Sequence, residues 1–198
     1  MPIRLATAAD APAIAAIYRP FCESSHVSFE TTAPDAAEMA ARINKTLQKL
    51  PWLVDDDDGI AGYAYASVHR ERLGYRWSAD AAVYIHPAHH RRGAGSRLYR
   101  TLFPLLQRLG YYRVFAGIAL PNPGSVGLHQ SLGFSLVGVY RGAGFKNGAW
   151  RDVGWWQLDL RPAEGVPAEP ASWPEFAASG ASFDLSAASI PYPWPTSP

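Results

Sequence analysis

A short basic turn rich in glycine, residues 89–96 with the sequence HHRRGAGS, carries the residue types with the clearest chemical use. The apolar, β-branched run 81–85 predicts a buried strand before it, which Pro87 ends. From Ser96 to residue 109, leucines recur at helical spacing and predict an amphipathic helix. Glycines let a ligand approach the main chain, and a helix N-terminus presents free amides and a positive dipole end. The turn is therefore predicted to bind an anion, and pyrophosphate suits it best.

The elements that must position this turn are predicted to follow the order β-α-α-β-β-β-α-β-α-β-β. The other predicted strands are 3–5, 52–54, 60–68, 113–119, 134–140 and 152–160, and the other helices begin near residues 7, 34 and 123. Two connections deserve separate mention. The run of four aspartates at 55–58 is predicted to be a solvated hairpin turn, because the alternating ligand spacing of a calcium loop is absent. The glycine-rich segment 141–150 is predicted to be a loop.

Length and composition predict one globular domain, residues 1–161, followed by a tail, residues 162–198. The formal net charge of +1 gives no support to a nucleic-acid binder, and no apolar run reaches membrane-spanning length. Cys22 is the only cysteine, so the expected location is the reducing cytoplasm. The tail is rich in proline, alanine and serine and is predicted to resist regular structure. Its aromatic residues nevertheless favour docking on the domain or on a partner, and they are Trp173, Phe176, Phe183, Tyr192 and Trp194.

The strand, the proline, the basic turn with Gly93-x-Gly95 and the following helix resemble the acetyl-CoA motif of the GNAT N-acetyltransferase superfamily. The resemblance implies the GNAT acyl-CoA N-acyltransferase fold, an α/β fold with a mixed, mostly antiparallel sheet flanked by helices. It also implies acetyl-CoA as co-substrate, with the strand holding the pantetheine arm and the turn holding the pyrophosphate. The implied acetyl-CoA ligands are Val83, Tyr84, Ile85, Arg91, Arg92, Gly93, Ala94, Gly95 and Ser96.

A second stretch of the superfamily pattern is NPGSVGLHQSLGF, which begins at Asn122. By resemblance Asn122 binds the pantetheine arm, although an asparagine here could equally cap the helix. The resemblance also places His129 where many GNAT enzymes have a tyrosine that acts as general acid. An imidazole titrates near neutral pH and could serve this purpose, but a lone histidine on a short helix could also be structural.

Further runs, among them PWLV, AGYAYA, VYIHP and RGAGFKNGAWRDVGWWQ, resemble the phosphinothricin N-acetyltransferase group over residues 3–160. That group acetylates the α-amine of small amino-acid analogues and uses a glutamate before the central strand as base. Asp80 stands at this position, so the resemblance implies a catalytic base, acting directly or through water. The alternative is an aspartate that only caps the start of the strand.

The same resemblance implies an acceptor pocket. Arg72 falls where the group has a substrate-binding arginine, whose planar fork suits a carboxylate or phosphinate. Phe29 and Tyr75 are predicted to wall the pocket, and Lys146 matches a lysine of the group without an assigned role. The usual oligomeric state of the group implies a homodimer.

Two other functions stay open at this stage. One is a GNAT enzyme for a polyamine, peptide or protein amine, and the other is a non-catalytic acyl-CoA-binding module. A metal site built from His86, His89 and His90 is the least favoured interpretation, because no cysteine or carboxylate accompanies them at useful spacing, and no metal is predicted.

Overall fold

The protein, described here from a computed structural model that covers residues 3–56, 58–180, 183 and 185, is built on a seven-stranded sheet. The strands are β1 Ile3–Leu5, β2 Trp52–Asp56, β3 Ile60–Val68, β4 Ser78–Ile85, β5 Arg113–Ala119, β6 Ser135–Lys146 and β7 Ala149–Asp159. The helices are α1 Ala11–Glu23, α2 Ala36–Leu47, α3 Ala94–Arg108, α4 Pro123–Ser131 and α5 Trp173–Ala178. The strand order is β1-β2-β3-β4-β5-β7-β6, antiparallel except for the β4–β5 pair. The predicted mixed, mostly antiparallel sheet is confirmed.

Helices cover both faces of the sheet because each carries one apolar stripe. On one face, the leucines of α3 that predicted a helix are buried in the larger core with β4 and β5. On the other face, α1 and α2 bury Ile14, Ile17, Met39 and Ile43 against β2 and β3. No helix in the described part of the chain has the length and apolar character needed to cross a bilayer.

Two strand boundaries differ from the prediction, and both matter for the site. β4 begins at Ser78, so Asp80 lies inside the strand, opposite Ser67 of β3, and does not cap its start. The segment 141–150, predicted to be a loop, instead forms the end of β6 and the start of β7. These two strands meet at Asn147-Gly148, where both residues have positive φ, as a tight hairpin turn requires.

The acidic turn after β2 is only partly solvated, which corrects the prediction for residues 55–58. Asp55 lies within β2 and is fully buried, and its carboxylate is paired with Arg97 of α3 at 2.7 Å. Asp56 pairs with Arg4 at 2.8 Å. Of the three aspartates of this run that the structure describes, only Asp58, which precedes Gly59 in the turn, is an exposed turn residue of the kind predicted. The described residues contain no cluster of histidine, cysteine or carboxylate side chains that could hold a metal ion.

The segment that follows β7 packs on the domain, and part of it is regular. α5 contradicts the predicted lack of structure, and its Trp173 and Phe176 rest against the larger core. Main-chain bonds fix it as well, since Ala171 N–H donates to Leu109 O at 2.8 Å and Trp173 N–H to Lys49 O at 2.9 Å. Tyr192 and Trp194 lie outside the described residues. A domain boundary at residue 161 stays a prediction.

Candidate active site

A gap between β4 and β5 opens the middle of the sheet. The two strands are paired only from Ser78 opposite Arg113 to Asp80 opposite Phe115, although both continue for several residues. Beyond Asp80 they separate, and a cavity of about 60 Å³ lies between their walls, which include Val83 and Gly117. The gap exposes strand peptide groups that a closed sheet would pair.

The peptide groups on the open edge of β4 belong to alternate residues. His86 N–H donates to a β3 carbonyl at 2.9 Å, and hydrogen-bonding direction alternates along a strand. The peptide groups of Val83 and Ile85 therefore face the gap, whereas that of Tyr84 faces β3. Ile85 O accepts a hydrogen bond from His90 Nε2 at 3.0 Å. Val83 N–H remains as a preorganised donor for a developing oxyanion.

The turn before α3 has the geometry of an anion site. Gly93 precedes the helix in the left-handed conformation, with φ 79°, which favours glycine. The first helical N–H to find a backbone acceptor is that of Arg97, which donates to Gly93 O at 3.0 Å. The amides of residues 94–96 have no such acceptor within the described chain, so they point at the turn. A groove of about 810 Å³ runs from β4 past this turn to α4.

Arg97 holds the turn in place through its guanidinium, a role that was not predicted from the sequence. Its Nη1 donates to Arg92 O at 2.8 Å, and its Nη2 donates to the buried carboxylate of Asp55 at 2.7 Å. Arg91 and Arg92 themselves have exposed side chains beside the groove. No local pattern could reveal the pairing with Asp55, since the two residues are 42 positions apart.

α4 begins at Asn122, whose side chain both caps the helix and lines the groove. Asn122 Oδ1 accepts from Ser125 N–H at 3.1 Å, and its amide nitrogen has no partner among the described residues. Asn122 can therefore cap the helix and still donate to a pantetheine carbonyl.

His129 is buried on the next turn, with both ring nitrogens engaged. Nδ1 lies 2.7 Å from Ser125 O, so it donates, and Nε2 lies 3.2 Å from the Tyr99 hydroxyl, so it accepts. Burial lowers the pKa of His129 and favours the neutral ring. In this tautomer His129 has no free N–H for a leaving thiolate, which weighs against a direct acid role.

Asp80 and His69 form a pair at the narrow end of the gap. Asp80 Oδ1 lies 2.6 Å from His69 Nδ1, and the imidazole stacks on Phe115 with ring centroids 4.2 Å apart. Burial raises the pKa of Asp80, while the bond to His69 and the charge of Arg70 oppose that shift. His69 was not singled out from the sequence, because it follows β3 as one histidine in a charged loop.

Of the predicted acceptor residues, Tyr75 and Arg72 lie on the loop beside His69, whereas Phe29 lies elsewhere. Tyr75 closes the helical turn Leu73–Tyr75, and its ring centroid is 6.1 Å from that of His69. Arg72 precedes this turn and is exposed, and its guanidinium has no hydrogen bond or ion pair within the described chain. Phe29 lies across the sheet, where its half-exposed ring packs on the bare Cα of Gly144 in β6.

Another arginine of this loop, Arg76, already has an anionic partner. Arg76 Nε and Nη2 donate to the Glu169 carboxylate at 2.6 and 2.5 Å, and its guanidinium stacks over Trp77 at 3.9 Å. Of these two arginines, Arg72 therefore has the unoccupied guanidinium.

Lys146 fastens the loop that carries Phe29. Its Nζ, on a side chain that is 5 % exposed, donates to Phe21 O at 3.2 Å, Ser28 O at 2.5 Å and Glu30 O at 2.7 Å. The contacts join the end of α1 and the following loop to the end of β6. Lys146 therefore holds the loop that carries Phe29 against the end of β6.

Known proteins share this arrangement. Residues 3–155 match the family described as the acetyltransferase (GNAT) domain. The chain is 40% identical to a phosphinothricin N-acetyltransferase of Streptomyces viridochromogenes over 172 residues, 86% of this chain and 94% of the relative. It is 33% identical to an L-methionine sulfoximine/L-methionine sulfone acetyltransferase of Salmonella typhimurium over 162 residues, 81% of this chain and 95% of the relative.

A solved structure agrees with the sequence relatives. The crystal structure of a GNAT superfamily phosphinothricin acetyltransferase from Sinorhizobium meliloti in complex with acetyl-CoA superposes with a TM-score of 0.82 and 34% identity. The match covers 85% of this chain and 94% of that one. The split sheet and the free amides at the start of α3 agree with these matches. The chain belongs to the GNAT family and is an acetyl-CoA-dependent N-acetyltransferase.

Proposed function

We propose that this enzyme acetylates the α-amine of a small amino-acid-like acceptor of the phosphinothricin or methionine sulfoximine and sulfone type, in which the carboxylate, and in phosphinothricin also the phosphinate, is anionic. One observation carries the proposal: the free guanidinium of Arg72 lies on the loop that leads from His69 back to Asp80. An amino-acid analogue needs a cation for its anionic groups and a proton acceptor for its ammonium. The names of the relatives point to the same acceptor class.

The groove and turn fit acetyl-CoA on their own geometry. The unpaired amides of residues 94–96 and the exposed Arg91 and Arg92 suit the pyrophosphate, and Asn122 and the open edge of β4 suit the pantetheine amides. Bound there, acetyl-CoA supplies the thioester carbonyl that the amine attacks. Val83 N–H stabilises the negative charge that develops on the carbonyl oxygen. The pair formed by Asp80 and His69 accepts a proton from the acceptor ammonium.

The experiment is a thiol-release assay on an amine panel. The panel contains phosphinothricin, methionine sulfoximine, methionine sulfone, spermidine and a peptide with a free N-terminus. The first three should be the best acceptors. Turnover of only spermidine or the peptide would overturn the acceptor class, and acetyl-CoA binding without any thiol release would indicate a non-catalytic module.

Arg72→Ala tests the anionic anchor in the same assay. Loss of a charged hydrogen-bonding group typically costs about 1.5–3 kcal/mol, so the acceptor KM should rise roughly 10- to 100-fold. The KM for acetyl-CoA should stay unchanged. Arg100→Ala, an exposed arginine on α3, is the matched control. An equal effect of Arg72→Ala on spermidine would mean that Arg72 does not bind the anionic group.

A homodimer is part of the proposal, supported by an apolar surface on the β6–β7 hairpin. Large apolar side chains stand exposed there, namely Leu136 at 55%, Val137 at 61%, Tyr140 at 55%, Phe145 at 59% and Trp150 at 70%. Phe145 and Trp150 lie with their rings 5.5 Å apart, and large exposed apolar side chains grouped on one hairpin are typical of a protein interface. A second copy of the chain is the proposed occupant, because β6 is an edge strand and the hairpin could be covered symmetrically.

A cytoplasmic location is also proposed. Cys22 is the only cysteine of the sequence, and in the structure it is buried in the smaller core. Burial raises the pKa of its thiol, so the thiol stays protonated and unreactive. A chain without an internal disulfide needs no oxidising compartment. Recovery of the enzyme in a secreted or periplasmic fraction would contradict the proposal.

A further inference from the structure

We infer that His69 is the catalytic base of this enzyme and that Asp80 is a positioning residue acting through it. This inference rests on the proposed function. In the pair, the imidazole of His69 accepts the proton from the acceptor amine, and the carboxylate of Asp80 orients the imidazole. The relevant geometry is the 2.6 Å contact between His69 Nδ1 and Asp80 Oδ1 and the stacking of the ring on Phe115.

The strand register fixes where this pair lies. Asp80 is paired with Ser67 of β3 and with Phe115 of β5, so these three side chains share one face of the sheet. His69, two residues after Ser67, falls on the same face. Asp80 is also the last residue of β4 that pairs with β5, so the pair stands where the gap begins. The open peptide group of Val83 lies three residues, about 10 Å, further along the strand.

Packing on both sides holds the imidazole in one orientation. Its side chain is 10% exposed, with Phe115 stacked on one ring face and the rings of Tyr75 and Trp155 at its edges, 6.1 and 6.3 Å away. A carboxylate facing Nδ1 requires the proton on that nitrogen, which leaves the lone pair on Nε2. The ring therefore presents a proton acceptor at its far end.

The Nε2 atom of His69 is accessible to solvent. It has no hydrogen-bond partner among the described residues, and it is not one of the side-chain polar atoms buried without a partner. An unbonded nitrogen that is not buried is in contact with solvent. Besides Phe115, the aromatic rings near the imidazole are those of Tyr75 on the adjacent turn and Trp155 on β7, and neither forms a hydrogen bond with His69.

An imidazole suits the proton transfer better than the carboxylate. A free imidazole titrates near neutral pH, where a general base is most effective, whereas a carboxylate is a weak base there. Asp80 has one oxygen committed to His69, and its side chain is 29% exposed. The other titratable or charged groups that act on the pair are Arg70 and Tyr65, which lie beside Asp80 and do not bond His69.

The proton count closes with this assignment. The acceptor ammonium gives one proton to His69 Nε2, and the free amine forms the C–N bond while the C–S bond breaks. A second proton leaves the new amide nitrogen, and the departing thiolate takes up one proton to become a thiol. The net reaction releases one proton to solvent when His69 returns to its neutral state.

The test separates a base from a residue that merely supports Asp80. His69→Asn keeps an N–H near the position of Nδ1, so Asp80 retains a partner, but Nε2 is lost. We expect kcat/KM for the best acceptor to fall about 10²- to 10⁴-fold, with acetyl-CoA affinity unchanged by calorimetry. The pH–rate profile of the variant should lose the inflection that the wild-type base contributes, leaving only the rise due to free amine. Retention of activity within about threefold would overturn the inference and make Asp80 the base.

Chemical rescue gives a second readout that a structural role would not move. His69→Ala leaves space at the ring site, and added imidazole should restore at least part of the lost rate in a concentration-dependent way. His26→Ala, whose histidine bonds Pro121 O on another loop, is the control and should show no rescue. Folded His69→Ala that binds acetyl-CoA yet shows no rescue, together with an active His69→Asn, would rule out the base. An inactive wild type would instead refute the proposed function.

Discussion

Lys146 offers the sharpest test of how the acceptor pocket is built, through the variant Lys146→Met. The ammonium donates to three main-chain carbonyls, of Phe21, Ser28 and Glu30, from a side chain that is almost fully buried. Phe21 lies in the last turn of α1, which has no basic residue of its own. Lys146 therefore also neutralises the negative end of that helix from another strand. Methionine keeps the length of the side chain and removes the charge and the donors.

The expected loss of stability follows from these contacts. A hydrogen bond to a charged group contributes about 1.5–3 kcal/mol, and a carbonyl left buried without a donor costs about 1–3 kcal/mol. Methionine also removes the cost of burying an ammonium, which offsets part of this sum. We therefore expect the free energy of unfolding to fall by about 2–4 kcal/mol. For a chain of this size that is a decrease in Tm of roughly 5–15 °C.

Thermal unfolding and steady-state kinetics together check this prediction. The acceptor KM should rise because the loop with Phe29 is no longer held by Lys146. Acetyl-CoA affinity should change less, because Phe21 and Val27 of its groove belong to the segment that Lys146 holds but the turn before α3 does not. Lys45→Met, which removes an exposed lysine of α2, is the matched control. An unchanged Tm and an unchanged acceptor KM would refute the role given to Lys146.

Three other predictions concern the anion site, an ion pair and the dimer. Gly95→Asp should weaken acetyl-CoA binding at least about tenfold in calorimetry, because it places a negative carboxylate where the turn amides would bind the negative pyrophosphate. Gly95→Ala, which crowds Leu128 without adding charge, is its control, and equal affinity for both variants would contradict the anion site. Arg4 donates to the Asp10 carboxylate at 2.7 and 2.8 Å and lowers the pKa of that carboxyl. The ionised Asp10 therefore stabilises the fold above about pH 4, and this stabilisation is lost as the pH falls through the lowered pKa. Asp10→Asn should therefore cost about 1–2 kcal/mol in urea unfolding at pH 7, and the cost should decrease as the pH is lowered below about 4. A cost that does not change with pH would be inconsistent with the pairing. Trp150→Asp should convert a dimer to monomers in sedimentation velocity, and an unchanged sedimentation coefficient would place the interface elsewhere.

Local patterns predicted much of the fold, because apolar periodicity reflects burial directly. β5 was predicted with its observed limits, Arg113–Ala119, and the leucines of α3 lie in the core as their spacing indicated. Strands β6 and β7 were predicted, but their continuation through residues 141–150 to a tight turn was missed, although Asn147-Gly148 is a strong turn signal. The surrounding glycines and the irregular pairing between Tyr140 and Gly144 obscure the alternation that identifies strands.

The site was less predictable because its key contacts join distant parts of the chain. The turn at Gly93 could be recognised, since its chemistry lies within eight consecutive residues. The support from Asp55 through Arg97, and the three carbonyls bound by Lys146, depend on tertiary packing that no spacing encodes. His69 was overlooked for a similar reason: only the register of β3 against β4 sets it beside Asp80.

Identification of the reaction product tests the central claim most directly. Wild-type enzyme should be incubated with acetyl-CoA and phosphinothricin, and the product analysed by tandem mass spectrometry alongside free thiol. The account predicts one acetyl group on the α-nitrogen for each thiol released, with no transfer when the α-amine is blocked beforehand. Thiol release without an N-acetylated product, or acetylation at another atom, would contradict it.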